Sequence, residues 1–304
     1  MSTVSTPRFG GLALEEVPFQ EEWMHEAKSD RVRSVLEERA QSLQAFRFFH
    51  QSGENRVEGF CIEPRGDERL PVIIFNRGGS RHFGAMTEKG LWCTRIGALA
   101  RAGFLVIMTQ CSGGSPASEG VDDFGGEQTM QDILGLKALL DADSRADTAR
   151  IGMYGGSRGG MMTYLCLRRV SWLRAAVTVA GSADLTNTTF RPEMEEHYVK
   201  MFGGAKEDRE ARSALFWVED LPKNVPLLLL HGTADWRVNP MDSLELARRC
   251  YEERVPCRFV LYEGGNHNLD DSHLSRGVLQ QIIEWFHCYV RDGEALPNLE
   301  PHGD

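Results

Sequence analysis

From Leu70 onward, short and continuously apolar runs alternate with stretches in which apolar residues recur at helical spacing. Because every position of such a run is apolar, both faces of the strand must be buried, as in a parallel sheet covered by helices. The alternation predicts an α/β fold with a mostly parallel, doubly wound sheet and helices on both faces. The predicted strands are PVIIF, FLVIM, RIGMY, AAVTVA, PLLLL and RFVLY, and the predicted helices are GLWCTRIGALARAG, EQTMQDILGLKALLDAD, GGMMTYLCLRRV, SLELARRCYEE and LSRGVLQQIIEWFHCYV.

The segment before Leu70 has a different pattern. Between Phe19 and Leu43, apolar residues recur at helical spacing among charged ones, which predicts one or two amphipathic helices. Two strand-like runs follow, AFRFFHQ and RVEGFCIEP, and the SGEN sequence between them is typical of a hairpin turn. We therefore expect residues 1–69 to form a helical segment and a β-hairpin, packed on a main domain of residues 70–304.

One connection in the main domain is much longer than the others. Residues 182–224 separate the AAVTVA and PLLLL runs. An insertion of this length usually forms its own helices and has a functional role, so we expect a short helical cap over the active edge of the sheet. Within this insertion, Phe190 and Trp217 are candidates for lining a substrate pocket.

Charge and cysteine usage narrow the choice of partners and compartment. The chain has 44 acidic and 34 basic residues, a net charge of −10, which argues against nucleic acid or an anionic membrane as the main partner. The seven cysteines form no CxxC pair and are expected to be free thiols in a reducing compartment. No signal peptide is visible, and no run approaches the roughly 18 apolar residues of a membrane span. We expect a cytoplasmic protein and leave its oligomeric state open.

The sequence GGSRG at residues 155–159 matches the G-x-S-x-G pattern of a nucleophile elbow. The residues two before and two after the serine approach each other closely, so neither tolerates a side chain. Ser157 itself is expected to adopt a strained conformation that exposes its hydroxyl above the sheet edge. Because the motif lies between the RIGMY run and an apolar helix, it predicts the α/β-hydrolase fold. Ser80 and Ser115 also lie in glycine-rich loops, but neither completes the pattern.

A serine nucleophile needs a base, and the base needs an acid that orients it. In this fold the chain order is serine, acid, histidine. Asp235 follows the PLLLL run and His267 follows the RFVLY run, so both are expected at the edge where ligands bind. Asp184 is the competing acid, whereas His231 is expected to brace the Asp235 turn. We expect no metal and no cofactor, because the spacing of the nearest candidate ligands matches no known zinc pattern; these are His267, Asp270, Asp271 and His273.

The loop after the first parallel strand, residues 76–79, is where such enzymes place their second oxyanion donor. We expect the N–H groups of Arg158 and Gly78 to stabilise the oxyanion. Arg77 is expected to bridge acidic residues nearby, with substrate binding as the alternative. His82 lies close to the same loop and is a further candidate for substrate contact.

These motifs resemble the catalytic domain of the prolyl oligopeptidase family of α/β-hydrolases. The resemblance runs from about Leu70 to Val290 and is strongest in YGGSRGGMMTY, PLLLLHGTADWRVNPMDSLEL and YEGGNHNL. It implies a serine hydrolase acting on peptides or esters through Ser157, His267 and Asp235. The larger family members carry a β-propeller, for which residues 1–69 are too few. Without the propeller, small esters or short acyl-amides become as plausible as oligopeptides. The loop usually written His-Gly-Gly also differs, since it reads Asn-Arg-Gly-Gly at residues 76–79.

The expected function is therefore a serine hydrolase that cleaves ester or peptide and amide bonds through an acyl-enzyme intermediate. Two alternatives stay open. One is a catalytically silent hydrolase fold used for binding, which the presence of all three triad candidates disfavours. The other is an acyltransferase that uses the same triad.

Overall fold

The computed structural model of the protein describes residues 8–27, 29–271 and 274–300. They form a mostly parallel mixed sheet with helices on both sides. None of the helices in these residues has the length and apolar composition needed to cross a bilayer. The strands are β1 (Glu15–Glu16), β2 (Leu43–Ser52), β3 (Asn55–Pro64), β4 (Leu70–Asn76), β5 (Leu105–Thr109), β6 (Ala146–Gly156), β7 (Leu173–Val179), β8 (Leu227–Gly232) and β9 (Cys257–Tyr262).

The helices follow the predicted alternation with the strands. Each of the six predicted strands from Leu70 onward is confirmed, and each predicted helical stretch contains a helix. The last helix continues into a π-helical turn at His287–Arg291. The α-helices are α1 (Asp30–Ser42), α2 (Glu88–Cys93), α3 (Arg95–Arg101), α4 (Glu127–Asp141), α5 (Arg158–Arg169), α6 (Glu193–Phe202), α7 (Lys206–Arg212), α8 (Pro240–Glu252) and α9 (Ser275–Phe286).

The chain divides into two compact units. The first contains the described residues up to 122 and residues 131–151, and the second contains residues 123–130 and the described residues from 152 onward. Strand β6 begins in the first unit and ends in the second.

The first unit contains the antiparallel part of the sheet. β2 and β3 form a hairpin whose register runs from the Leu43–Pro64 pair to the Ser52–Asn55 pair. β3 pairs antiparallel with β5, and β5 pairs parallel with β4. The predicted hairpin is thus confirmed, and it joins the sheet through β5 in the same compact unit as β4. The predicted domain boundary at residue 69 stays a prediction.

The second unit contains parallel strands whose carboxyl ends carry the candidate chemistry. β7, β8 and β9 pair parallel in that order, and β6 precedes them in the strand order. Helix α5 is buried along nearly its whole length, since its residues from Arg158 to Leu167 are all shielded from solvent. Helix α8 begins at Pro240, and the side chain of Asn239 caps it by accepting from the Met241 N–H at 3.1 Å. Parallel strands end at one edge, so the residues after them are brought together there.

The insertion of residues 182–224 forms α6, α7 and two short 3-10 helices. Its helices are tied together by a two-pronged ion pair, in which the Arg209 guanidinium donates to both Glu195 oxygens at 2.7 and 2.6 Å. The insertion also contacts the loop after β8, because Arg191 donates to the Arg237 carbonyl at 3.3 Å and lies over the Trp236 ring. A helical insertion is therefore present, and its role as a cap over the active site stays a prediction.

Candidate active site

Ser157 occupies the turn between β6 and α5 in a conformation that few non-glycine residues adopt. Its φ is 57° and its ψ is −126°, and its side chain makes no capping hydrogen bond to α5. The Ser157 N–H donates to the Val179 carbonyl at 2.9 Å, and its carbonyl accepts from Gly160 at 2.9 Å and from Ser182 at 3.2 Å. Because these hydrogen bonds hold both sides of the residue, the surrounding backbone maintains the strain.

The glycines around Ser157 are required by close backbone contacts. A Cβ atom on Gly155 would overlap the carbonyl of Gly159 and approach the Thr163 hydroxyl within 2.6 Å. A Cβ on Gly160 would lie 2.5 Å from the Gly181 Cα, because α5 packs directly against the segment after β7. At Gly156, by contrast, the nearest atom would be at an ordinary 3.6 Å. The elbow thus depends sterically on Gly155 and Gly160 and has space at Gly156.

Asp235 and His267 meet at the ends of β8 and β9. The Nδ1 atom of His267 lies 2.8 Å from Oδ2 of Asp235, and the two side chains are 8% and 3% exposed. Because a carboxylate only accepts hydrogen bonds, Nδ1 carries the proton and Nε2 of the neutral ring is left as the basic nitrogen. This orientation is the one that a general base requires.

The other Asp235 oxygen is held by the backbone. Its Oδ1 accepts from the Arg237 N–H at 2.8 Å and from the Val238 N–H at 3.1 Å. Burial by itself would raise the pKa of Asp235, but the hydrogen bonds from His231 and His267, with those from the backbone, hold its pKa well below the ordinary value. Asp235 is therefore a stable anion beside His267.

The competing acid, Asp184, belongs to a local turn. Its Oδ1 accepts from the Thr186 N–H at 2.7 Å and from the Thr186 hydroxyl at 2.6 Å. Asp270 and Asp271, which a metal site would require, instead shape the His267 loop by accepting from the side chain and the backbone of Asn266. His273 lies outside the described residues.

Arg158, a candidate oxyanion donor, is the first residue of α5. Its N–H belongs to the first turn of α5, at the positive end of the helix dipole. Its side chain is buried, and the guanidinium carbon lies 4.6 Å from the centroid of the Phe124 ring. That ring in turn contacts Tyr198 and Phe202 of α6, with centroids 5.7 and 5.9 Å away. The residue after Ser157 therefore contacts the helical insertion through Phe124.

Gly78, the other candidate donor, lies in a loop of the first unit that Arg77 holds in shape. The buried Arg77 guanidinium donates to five backbone carbonyls at 2.7–3.2 Å. Gly79 and Gly84 both have positive φ, at 74° and 78°, and a Cβ on Gly84 would come 2.8 Å from the Gly78 carbonyl. The carbonyl acceptors are those of Gly78, Arg81, Phe83, Gln110 and Gly114.

The substrate-contact candidates fall into two groups. His82 and Phe190 are exposed, Phe190 by 42%. Arg77 is buried in its loop, and Trp217 is buried with its indole N–H donating to the Glu210 carbonyl at 3.2 Å. Their assignment to substrate binding stays a prediction.

Several contacts around the site go beyond what the sequence patterns predicted. The two N–H groups on Asp235 had a local signal, because donors two and three residues after an aspartate are typical of an Asx-type turn. Ser243, which contacts His231, and Phe124, which contacts Arg158, had none. Both contacts depend on how α8 packs against the end of β8 and how α5 packs against the segment before α4.

The strained serine at a strand-to-helix turn, followed in the chain by an aspartate and a histidine at later strand ends, defines the class of protein as an α/β-hydrolase. The sequence model of the prolyl oligopeptidase family matches residues 93–293. The chain belongs to this family, as its motifs predicted.

Curated relatives cover most of this chain. Dipeptidyl-peptidase 5 of Schizosaccharomyces pombe is 22% identical over 266 residues, which are 79% of this chain and 37% of the relative. The acylamino-acid-releasing enzyme of Rattus norvegicus is 23% identical over 251 residues, which are 75% of this chain and 32% of the relative. The chain thus spans about a third of the length of these relatives.

Solved structures show the same fold. The acylaminoacyl peptidase of Pyrococcus horikoshii superposes with a TM-score of 0.73 at 21% identity, over 88% of this chain and 45% of that one. An acylaminoacyl peptidase in complex with Z-Gly-Gly-Phe-chloromethyl ketone superposes with a TM-score of 0.70 at 23% identity, over 85% of this chain and 43% of that one.

Proposed function

We propose that this chain is a serine hydrolase that cleaves ester or peptide and amide bonds. Ser157 attacks the carbonyl carbon of the substrate, and His267 takes the hydroxyl proton and returns it to the leaving group. Asp235 keeps His267 in the tautomer whose Nε2 is basic and stabilises the imidazolium that forms. Water then attacks the acyl-enzyme and releases the acid product.

The observation that carries this proposal is the backbone of Ser157. A serine with a φ of 57° is strained, and its backbone hydrogen bonds and the packing at Gly155 hold it there. Such strain persists where surrounding structure enforces it, and it concentrates at functional sites. The buried Asp235–His267 pair supports the proposal by supplying an oriented base.

The N–H groups of Arg158 and Gly78 are the proposed oxyanion donors. The positive end of α5 favours negative charge beside Arg158. Loss of one such donor typically lowers the rate by about 10²–10³-fold.

The proposed substrates are short peptides, acylated amino acids and small esters. Relatives named as a dipeptidyl-peptidase and an acylamino-acid-releasing enzyme favour the peptide bond, and a similar peptidase binds a peptidyl chloromethyl ketone. Because this chain spans about a third of those relatives, their substrate preferences are a starting point for the assay.

The test combines active-site labelling with turnover. We expect a fluorophosphonate to label the wild-type protein and Ser171→Ala, in which an exposed serine is removed, but not Ser157→Ala. Turnover of p-nitrophenyl esters and of acylaminoacyl and dipeptidyl p-nitroanilides should fall by at least about 10⁴-fold in Ser157→Ala. Undiminished turnover in folded Ser157→Ala would overturn the proposal.

A further inference from the structure

Asp235 has a second histidine on the same oxygen atom that contacts His267. His231 lies at the end of β8 and is fully buried, with 0% of its surface exposed. Its Nε2 is 3.0 Å from Oδ2 of Asp235 and 3.2 Å from the Val238 carbonyl oxygen. Its Nδ1 is 2.7 Å from the hydroxyl of Ser243, on α8.

The neighbours of His231 determine where its proton lies. Nε2 faces a carboxylate oxygen and a carbonyl oxygen, and neither of these can donate, so Nε2 must carry the hydrogen. In the neutral ring Nδ1 is then an acceptor, and the Ser243 hydroxyl is placed to donate to it. Ser243 therefore stabilises the tautomer in which His231 donates to Asp235.

The hydrogen bond from His231 completes the set of donors around the Asp235 carboxylate. Oδ2 receives the N–H groups of His231 and His267, and Oδ1 receives two backbone N–H groups. A carboxylate has about four lone-pair sites, so all of them are occupied. The carboxylate cannot rotate about its Cβ–Cγ bond without breaking several hydrogen bonds, and Oδ2 stays directed at His267.

We propose that His231 is a positioning residue for the base, acting through Asp235, and that Ser243 couples it to α8. The proposal rests on the proposed function, because it assigns His267 as the base. The backbone N–H groups hold only Oδ1, so His231 is the group that fixes the oxygen facing His267. Its loss leaves Asp235 ionised and in place but with Oδ2 free to shift, which should lower kcat more than it changes KM.

The first test compares two substitutions at His231. Glutamine can place its amide N–H near the position of the histidine Nε2, whereas methionine has similar length and no donor. Outer-shell partners of metal ligands typically contribute about 10–100-fold to activity, and by analogy we expect a kcat loss of that size for His231→Met, with KM within about threefold. His231→Gln should recover most of that loss. Rates are expressed per site titrated by the fluorophosphonate, so that misfolded protein does not count.

The second test removes the group through which His231 acts. In an Asp235→Asn background, His231→Met should have little further effect on kcat, because there is no longer a carboxylate to hold. Ser243→Ala should lower kcat several-fold in the wild-type background and leave it unchanged in the Asp235→Asn background. This variant replaces His231→Met in the comparison if His231→Met does not fold. Equal kcat values for the Gln and Met variants, or equal losses in both backgrounds, would overturn the proposal.

These experiments distinguish a failure of the His231 proposal from a failure of the proposed hydrolase function. Retained turnover in Ser157→Ala would reject the hydrolase mechanism itself, whatever the His231 variants do. If Ser157→Ala abolishes turnover and His231→Met keeps the wild-type kcat, the hydrolase stands and the role of His231 is rejected.

Discussion

Two glycine-rich loops follow buried strands of this protein, and they are held in shape by different means. At the elbow, residues 155–160, backbone packs on backbone so closely that Gly155 cannot carry a Cβ atom. In the loop of residues 76–86, a single buried side chain, Arg77, binds five carbonyls and holds the chain around itself. Similar composition thus produces one loop fixed by close backbone packing and one held by hydrogen bonds from side chains, with Arg77 making the most of them.

The difference follows from what each loop must hold. The elbow keeps a strained residue, Ser157, and close packing on both sides prevents it from relaxing. The other loop contains a buried guanidinium, which is costly to bury unless its N–H groups find acceptors. Three of these acceptors are carbonyls of the loop itself and two belong to the segment after β5, so burial of Arg77 and the shape of the loop depend on each other.

The largest effect is expected from Gly155→Ala. Its Cβ would overlap the Gly159 carbonyl, and neither backbone can move without opening the elbow. We expect a loss of at least about 10²-fold in kcat/KM and destabilisation of about 1–3 kcal/mol, the range typical of an overpacked core. The control is Gly156→Ala, which meets its nearest atom at 3.6 Å and should stay close to wild type. Ester hydrolysis and urea unfolding measure both effects, and equal losses in the two variants would contradict the steric explanation.

A smaller effect is expected from Arg77→Lys. Lysine keeps the charge but cannot present the planar fork that reaches five carbonyls. The loop should loosen around Gly78, the proposed oxyanion donor. Because one such donor typically contributes about 10²–10³-fold, a partial loss of about 10–100-fold in kcat is expected. Arg81→Lys, an exposed side chain in the same loop, is the control. A wild-type kcat in Arg77→Lys would mean that catalysis does not depend on the shape of this loop.

The smallest effect is expected at the start of α8, where Asp242 lies close to Asp184. Burial, with a contribution from the Asp184 charge, raises the pKa of Asp242 from 3.8 to about 7. A raised pKa means that the folded state is penalised as the pH rises from about 4 to 7 and the carboxyl ionises. Asp242→Asn should therefore add about 1–2 kcal/mol to the free energy of unfolding above pH 7, discounted for partial exposure, and nothing at pH 4 or below. Urea unfolding at pH 4 and above pH 7 measures this. An equal gain in the free energy of unfolding at the two pH values would exclude the Asp242 charge as the cause.

The strands were predictable because the run of apolar residues is itself the property that buries them. Helix boundaries were less predictable from the sequence. The stretch GLWCTRIGALARAG looks like one helix, yet it forms α2 and α3 with Thr94 between them. The Thr94 side chain accepts from the Ile96 N–H at 3.3 Å and caps the second helix. A threonine in an apolar periodic stretch is compatible with both outcomes, and packing selects the break.

In the candidate site, too, some features were predictable from the sequence and others depended on packing. The GGSRG motif and the chain order of Asp235 and His267 are features of the sequence itself, and they point to one edge of the sheet. His231 was expected to brace the Asp235 turn, and its Nε2 lies 3.0 Å from Asp235 Oδ2. The Ser243 partner of His231 and the aromatic contact of Arg158 had no sequence signal strong enough to assign them. They join residues on different elements, and the register and packing of those elements set their distances.

The sequence by itself determined the elements, their order and the need for glycine at the elbow, because apolar runs and steric exclusion act between near neighbours in the chain. It left two acids, Asp184 and Asp235, as partners for one histidine. Only the tertiary structure decided between them: the parallel pairing of β8 with β9 brings the ends of those strands together, and Asp235 Oδ2 comes to lie 2.8 Å from His267. Asp184, after β7, instead accepts hydrogen bonds within its own turn. A contact between residues 32 positions apart depends on the alignment of whole strands, which no local pattern encodes.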